Sequence, residues 1–215
     1  MDPNLLPALN TLAETQANPS TESMKNISQF LDFVATNPNT KIRYKASDMQ
    51  LWIDSDAAYL VAPNARSRTA GYFYLSEQPV SPLEQNPPFN GPILVECKLL
   101  RFVQSSAAES EIGAIFHNAK TACPLRVTLN EMGHKQGKTP IKTDNSTANK
   151  FANNNIKHRF IKHMDMRYHW ILDCQGQKQF LIYWRPGPEN HADYFSKHFL
   201  DIEHRRKRNK NVTSS

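Results

Sequence analysis

The 215 residues are 39% hydrophobic, enough to bury one good core and too few for a second full domain, and 26 Lys and Arg against 20 Asp and Glu leave a formal charge of +6. No apolar segment reaches the length of a membrane span, and the opening Met1-Asp2-Pro3-Asn4 lacks both the basic region and the apolar core of a secretion signal, so a membrane or secreted protein is not expected. Cys97, Cys123 and Cys174 are odd in number, widely spaced and without a C-x-x-C pair, which argues against a disulfide framework and a structural zinc site and fits a reducing, intracellular setting.

Residues 1–48 are polar and contain one helical stretch over 24–34, where Met24, Ile27, Phe30, Leu31 and Val34 recur at helix spacing and make an apolar face in need of a partner. At Met49 the character changes. Met49-Gln-Leu-Trp-Ile-Asp-Ser-Asp56 is a short apolar run that ends in acids and predicts a first strand, and Gly71-Tyr-Phe-Tyr-Leu-Ser predicts a second. After a Pro- and Asn-rich turn over 77–92, Pro92-Ile-Leu-Val-Glu-Cys-Lys-Leu-Leu predicts a third, so three strands form an antiparallel meander. Ser105-Ser106 supplies an N-cap for helix-forming residues 107–132, which Pro124 is expected to divide into two helices before Gly133.

Pro140-Ile-Lys-Thr-Asp144 is a short fourth strand ending in an acid, and Asn145-Ser-Thr-Ala-Asn caps the next helix. Basic residues 157–169 lead into a further helix, and Gln179-Phe-Leu-Ile-Tyr-Trp184 is a fifth strand closed by Arg185-Pro-Gly-Pro. Residues 189–198 predict a last helix, followed by the basic run Arg205-Arg-Lys-Arg-Asn-Lys. The order is βββαβαβα. Trp52, Trp170 and Trp184 lie among apolar residues and are expected in the core.

Asp56, Glu111, Asp144 and Asp193 fall at the end of the first strand, in the first turns of the first long helix, at the end of the fourth strand and in the last helix. A strand that ends in Asp just before a helix sets that carboxylate at the carboxyl edge of the sheet, where open α/β folds place their ligands. Four carboxylates gathered there repel one another unless a hard divalent cation joins them. Oxygen-only ligation suits magnesium or manganese, and two such ions about 4 Å apart serve phosphodiester hydrolysis. Spacing alone does not separate this cluster from ordinary surface carboxylates; the residues around each acid do.

Ser55-Asp56-Ala-Ala-Tyr59, Ser105-Ser-Ala-Ala-Glu109-Ser-Glu111-Ile-Gly-Ala, Thr143-Asp144-Asn-Ser-Thr-Ala148 and Ala192-Asp193-Tyr-Phe-Ser-Lys197 together resemble the ribonuclease H region of copia-type retrotransposon polyproteins, in that family's order. Arg66-Ser-Arg-x-x-Gly-Tyr72 and His158-Arg-x-x-Lys-His-x-Asp-x-Arg-Tyr-His169 resemble its connecting text, so that the likeness covers roughly residues 25–200. It implies a ribonuclease H-like α/β fold, with a five-stranded mixed sheet of three antiparallel and two parallel strands flanked by helices. It also implies a metal-dependent endonuclease that holds two Mg2+ or Mn2+ ions on Asp56, Glu111, Asp144 and Asp193 and cleaves the RNA strand of an RNA/DNA hybrid during reverse transcription. The alternative is a catalytically silent nucleic-acid-binding remnant.

Within the family's Glu-x-Glu element Glu111 is preferred to Glu109, because Glu-Ile-Gly-Ala resembles the Glu-Leu-x-Ala of ribonucleases H. Asp54 competes with Asp56 because residues two apart on a strand share a face, and the Ser-Asp-Ala wording favours Asp56. The chain departs from the family's Ser-Ala-Glu-Ala-Glu-Tyr at Ala107-Ala-Glu-Ser-Glu-Ile, and its segment before the last acid offers only His191 as a proton carrier.

Four basic and five acidic residues precede position 51, so about +7 of the charge lies beyond it, which points to a polyanionic partner. Lys157, Arg159, Lys162 and Arg167, interleaved with Phe160 and Tyr168, suit contacts to a hybrid's sugar-phosphate backbone, with Arg185, Arg66 and Arg68 as second-rank candidates. Residues 25–48 resemble the helix joining reverse transcriptase to nuclease, so 1–48 are expected to be a remnant of that connection, 49–200 the ribonuclease H-like domain, and 201–215 a disordered basic tail. The expected partners are the hybrid and the reverse transcriptase of a parent polyprotein, with no membrane and no small-molecule cofactor.

Overall fold

The computed structural model of the chain describes residues 2–80, 87–153, 165–197, 199, 201–211, 213 and 214. The N-terminal segment forms α1 (Leu6–Glu14), a helix the sequence pattern did not announce, and α2 (Thr21–Thr36), the predicted amphipathic one. Ser20 starts α2 with a reciprocal cap: its hydroxyl accepts from the Ser23 N–H at 3.1 Å while the Ser23 hydroxyl accepts from the Ser20 N–H at 3.2 Å. Long-range bonds fasten the segment to the rest of the chain, two of them from α1. Asn10 donates to the Cys97 carbonyl at 2.9 Å, and Glu14 meets Arg68 at 2.7 Å. On α2, Met24 and Leu31 stay 59% and 58% exposed, so part of the apolar face is uncovered.

After the short β1 (Thr40–Lys41), β2 (Gln50–Ala62) and β3 (Arg66–Ser76) form a long hairpin, and β4 (Pro92–Leu99) adds antiparallel to β3. Next come α3 (Ala107–Glu131), β5 (Thr139–Thr143), α4 (Ser146–Ala152), α5 (Asp165–Gly176) and β6 (Phe180–Trp184). The one-turn α6 (Asp193–Ser196), α7 (Asp201–Asn211) and β7 (Thr213–Ser214), which pairs with β1, close the chain. The main sheet has the order β4-β3-β2-β5-β6, with β5 and β6 parallel to β2. This is the ribonuclease H-like arrangement that the resemblance implies.

The central strands are buried on both faces, which explains why β2 reads as an apolar run rather than as an alternation. Leu51, Ile53, Phe73 and Ile141 pack under Ile112 and Ile115 of α3, together with α4 and α5. Trp52, Tyr72 and Tyr74 pack on the opposite face under Ala192, Tyr194 and Phe195. Each large side chain so enclosed contributes about 1.5–3 kcal/mol. Gly71 permits close approach of α3: a Cβ there would lie 2.3 Å from the Asn118 amide oxygen, and Asn118 instead bonds the Ser55 hydroxyl and the Ala70 carbonyl, each at 2.9 Å.

Three expectations are corrected. Pro124 does not divide the helix: α3 runs unbroken over 25 residues, because Ala122 and Leu129 on either side of the proline are both seated in the core, and Lys120, whose carbonyl loses its partner, is exposed to water. Trp184 is not core; it is 45% exposed and its indole N–H donates to the Asp144 carbonyl at 2.8 Å. The basic tail is helical over Asp201–Asn211, held by contacts between distant residues: His204 to the Tyr194 hydroxyl at 2.8 Å and Arg208 to Asp2 at 3.2 Å.

The β2–β3 turn places Asn64 and Ala65 at φ 57° and 53°. Asn tolerates this left-handed region, whereas the Ala65 Cβ crowds a carbonyl. Ala65→Gly is therefore expected to stabilise the fold by about 1 kcal/mol, a rise of roughly 2–4 °C in Tm by calorimetry.

Candidate metal centre

Three acids are delivered to one point by three different elements. Asp56 stands on β2 and is fully buried, Glu111 enters from the second turn of α3, and the half-buried Asp144 follows the last residue of β5. One carboxylate oxygen from each lies within 4.8 Å of the other two. Local bonds fix each of them. Glu111 accepts from the Ala57 N–H at 3.2 Å and from the Thr143 hydroxyl at 3.4 Å, Trp184 holds the Asp144 carbonyl, and the Ser196 hydroxyl donates to Asp56 Oδ2. Gly187 leaves room for Asp144, since a Cβ there would lie 2.9 Å from Asp144 Oδ2.

The rival acids have other duties. Glu109 completes the α3 cap, accepting from the Ser105 N–H at 2.7 Å and the Ser105 hydroxyl at 2.6 Å while its own N–H donates to Ser106. Asp54, on the same face of β2 as Asp56, is 2.8 Å from the Lys142 ammonium. Asp193 reaches the same edge but stands outside the cluster of three, and Lys197 and Lys207 each grip one of its oxygens. Lys197 also lies 3.6 Å from Asp56 Oδ2 and so bridges the two acids. Sequence reasoning missed both lysines, which sit four and fourteen residues beyond Asp193; Lys197 closes the Ala-Asp-Tyr-Phe-Ser-Lys motif, whereas Lys207 was hidden in a charge run.

Burial and crowding favour protonation. Burial drives the Asp56 carboxyl up to about 6, against the pull of Lys197 and the Ser196 hydroxyl and with help from Asp144 and Asp193. Burial and then the charges of Asp56 and Asp144 hold Glu111 well above its ordinary range, and burial also raises Asp144. Burial alone would lower Lys197, yet Asp56 and Asp193 hold it above its usual value. The donor set suits a hard divalent cation on a specific ground: Asp56 Oδ1 is buried without a hydrogen-bond partner among the described residues, and Asp56 clusters with two further acids.

A groove of about 350 Å³ opens onto this point, lined by Asp144, His191, Asp193, Lys197, Arg206 and Lys207. The His191 ring rests against Phe89 at 4.4 Å and Tyr72 at 5.4 Å. Among the basic candidates, Lys157, Arg159 and Lys162 lie outside the described residues. Arg167 stacks 3.5 Å above the Phe102 ring, and Arg185 continues β6 by donating its N–H to the Thr143 carbonyl at 3.0 Å. Arg68 is no phosphate ligand: it is buried and committed to Glu14.

With this geometry, the fold and site define a ribonuclease H-like domain carrying an acidic cluster. The chain is similar, at 24% identity over 195 residues and 91% of its own length, to the retrovirus-related Pol polyprotein from transposon TNT 1-94 of Nicotiana tabacum, and it spans 14% of that polyprotein's length. The expected kinship with a retrotransposon polyprotein is thereby borne out. No protein-family model matches the chain.

Among solved structures it is similar to LC11-RNase H1, isolated from compost, in complex with RNA/DNA hybrid: 9% identity, 71% of this chain, 98% of that one, TM-score 0.48. It is also similar to the N-terminal RNase H domain of a Mycobacterium tuberculosis protein, at 10% identity, with 69% and 91% of the two chains covered and a TM-score of 0.47. The RNase H domain of prototype foamy virus is similar at 14% identity, with 78% and 93% covered and a TM-score of 0.43.

The raised acids set a pH dependence. The folded state binds protons at Asp56 that the unfolded chain has released, so this contribution is complete below the ordinary value of 3.8 and is lost as pH rises through about 6. In metal-free buffer Tm is expected to fall across that interval. Asp56→Asn should flatten the fall, and millimolar Mn2+ should restore Tm on the alkaline side, all read by scanning calorimetry.

Proposed function

We propose that this chain is the nuclease part of a retrotransposon polyprotein and hydrolyses the RNA strand of RNA/DNA hybrids with two Mg2+ or Mn2+ ions. The observation that carries the reading is the convergence of Asp56, Glu111 and Asp144 within 4.8 Å, with Asp56 Oδ1 buried and unpartnered among the described residues. Asp56, Glu111, Asp144 and Asp193 would hold the ions, Asp193 in exchange for its contacts with Lys197 and Lys207. Bound there, such ions neutralise a phosphodiester and lower the pKa of water.

The chain's own groups do the rest. The Ala57 N–H and the Thr143 hydroxyl hold Glu111 facing the cluster, and the Ser196 hydroxyl orients Asp56. Ring packing on Phe89 keeps the His191 imidazole at the groove wall, where it hands a proton to the leaving oxygen. Lys157, Arg159, Lys162, Arg167 and Arg185 are assigned to the sugar-phosphate backbone, where they position the hybrid without reading sequence.

Residues 1–48 are read as the end of the connection from a reverse transcriptase domain, 49–200 as the nuclease, and the setting as intracellular. Among the described residues no helix is long and apolar enough to cross a membrane. One observation favours the second reading, a silent hybrid-binding remnant: both oxygens of Asp193 are engaged by ammonium groups.

The purified chain, incubated with end-labelled RNA/DNA duplex in Mg2+ or Mn2+, decides between them. Metal-dependent cleavage of the RNA strand is expected, with a loss of at least about 100-fold in Asp144→Asn, since even the outer partners of metal ligands are worth 10–100-fold. Binding without cleavage in both proteins selects the remnant. Lys207→Gln removes one competitor for Asp193 and is expected to tighten Mn2+ binding about threefold to fivefold by isothermal titration, the upper range for a partly exposed ion pair.

A further inference from the structure

Beside the acidic cluster, and outside the group of three acids, lies a fully buried charge pair. Asp54 and Lys142 are register partners on the parallel strands β2 and β5, two residues before Asp56 and Asp144, with side chains 0% and 1% exposed and 2.8 Å apart. Their remaining bonds lead to the segment that precedes the last acid. The Lys142 ammonium donates to the Glu189 carbonyl at 2.6 Å, and Asp54 Oδ2 accepts from the His191 N–H at 2.9 Å. Between them the Asn190 side chain donates to the Ser55 carbonyl at 2.8 Å. Three successive residues are thus pinned to the sheet, and they lead directly into the turn that bears Asp193 and Ser196.

We infer that Asp54 and Lys142 are positioning residues: a buried ionic clamp that sets the place of His191, Asp193 and Ser196 relative to the acids on the strands. The inference rests on the nuclease reading of the acidic cluster. A buried pair is a poor stabiliser, because desolvating two charges offsets most of their attraction, and an apolar pair of similar volume often replaces it without loss of stability. What an apolar pair cannot supply is the two bonds to the backbone of Glu189 and His191. The pair also brings an acid next to the cluster without adding net charge there.

The test separates scaffold from position. Asp54→Leu/Lys142→Met fills the space and is expected to melt within a few degrees of the parent. It should nevertheless lose about 10- to 100-fold in kcat on the hybrid and in Mn2+ affinity, at unchanged KM. Asp54→Asn/Lys142→Gln retains an acceptor for the His191 N–H and a donor for the Glu189 carbonyl, and should keep kcat near that of the parent.

Hydrogen exchange, followed by mass spectrometry, reports the clamp without turnover. The His191 amide should be protected in the parent and in the Asn/Gln protein and lose that protection in the Leu/Met protein. The clamp is overturned if the His191 amide of the parent exchanges freely, or if the Leu/Met protein keeps both its protection and its kcat. A parent that neither binds Mn2+ nor cleaves would defeat the nuclease reading, while the exchange experiment would still decide whether the clamp exists.

Discussion

Like charges crowded into a dry corner are the constraint around which the rest of this molecule is arranged. At the 4.8 Å limit of the acidic cluster, two full charges repel by roughly 3.5 kcal/mol at an effective dielectric constant of about 20. Only a rigid scaffold keeps Asp56, Glu111 and Asp144 together against such a force, and each is carried by an element that cannot give way. Asp56 is on the central strand, paired on both sides; Asp144 follows the strand parallel to it; Glu111 is on the helix that covers both. The acids are displaced toward protonation instead of moving apart.

The packing reflects that demand. Isoleucines on one face and aromatic rings on the other bury β2 and β3 from both sides, so β2 cannot slide without opening two cores. Gly71 and Gly187 mark the closest approaches. The first lets α3 settle on the sheet, which determines how far Glu111 reaches, and the second leaves space for the Asp144 carboxylate.

Much of this was legible in the sequence. The five strands in chain order and the amphipathic α2 come from short local patterns, and the acids Asp56, Glu111 and Asp144 from strands that end in Asp and from words that resemble the ribonuclease H family, Glu-Ile-Gly-Ala for Glu111 over Glu109 among them. What stayed hidden is non-local. Lys207 reads as one more charge in a solvated run, because nothing near it in sequence indicates that helix α7 returns to Asp193. Pro124 reads as a helix break, because local propensity does not register the core on both sides of it. Trp184 reads as apolar core, because hydropathy does not register a carbonyl waiting at the end of a neighbouring strand. Helix α1, short and rich in Leu and Ala, is held by Asn10 and Glu14, whose partners lie 87 and 54 residues away.

The three lysines at this end of the sheet differ in one respect that bears on how the site operates. The Lys142 side chain is 1% exposed and neutralises an acid below the cluster, where neither water nor a cation from solution competes with it. Lys197, 39% exposed, and Lys207, 18% exposed, neutralise the acid at the rim. Charge balance is therefore fixed in the interior by an ammonium group locked in the core, and at the mouth by ammonium groups that border the groove and water. A buried lysine at the rim would close the site, and an exposed one beneath it would leave the scaffold of the acids open to solvent. The gradient in exposure from Lys142 to Lys197 is what allows one set of acids to be rigid in place and still variable in charge.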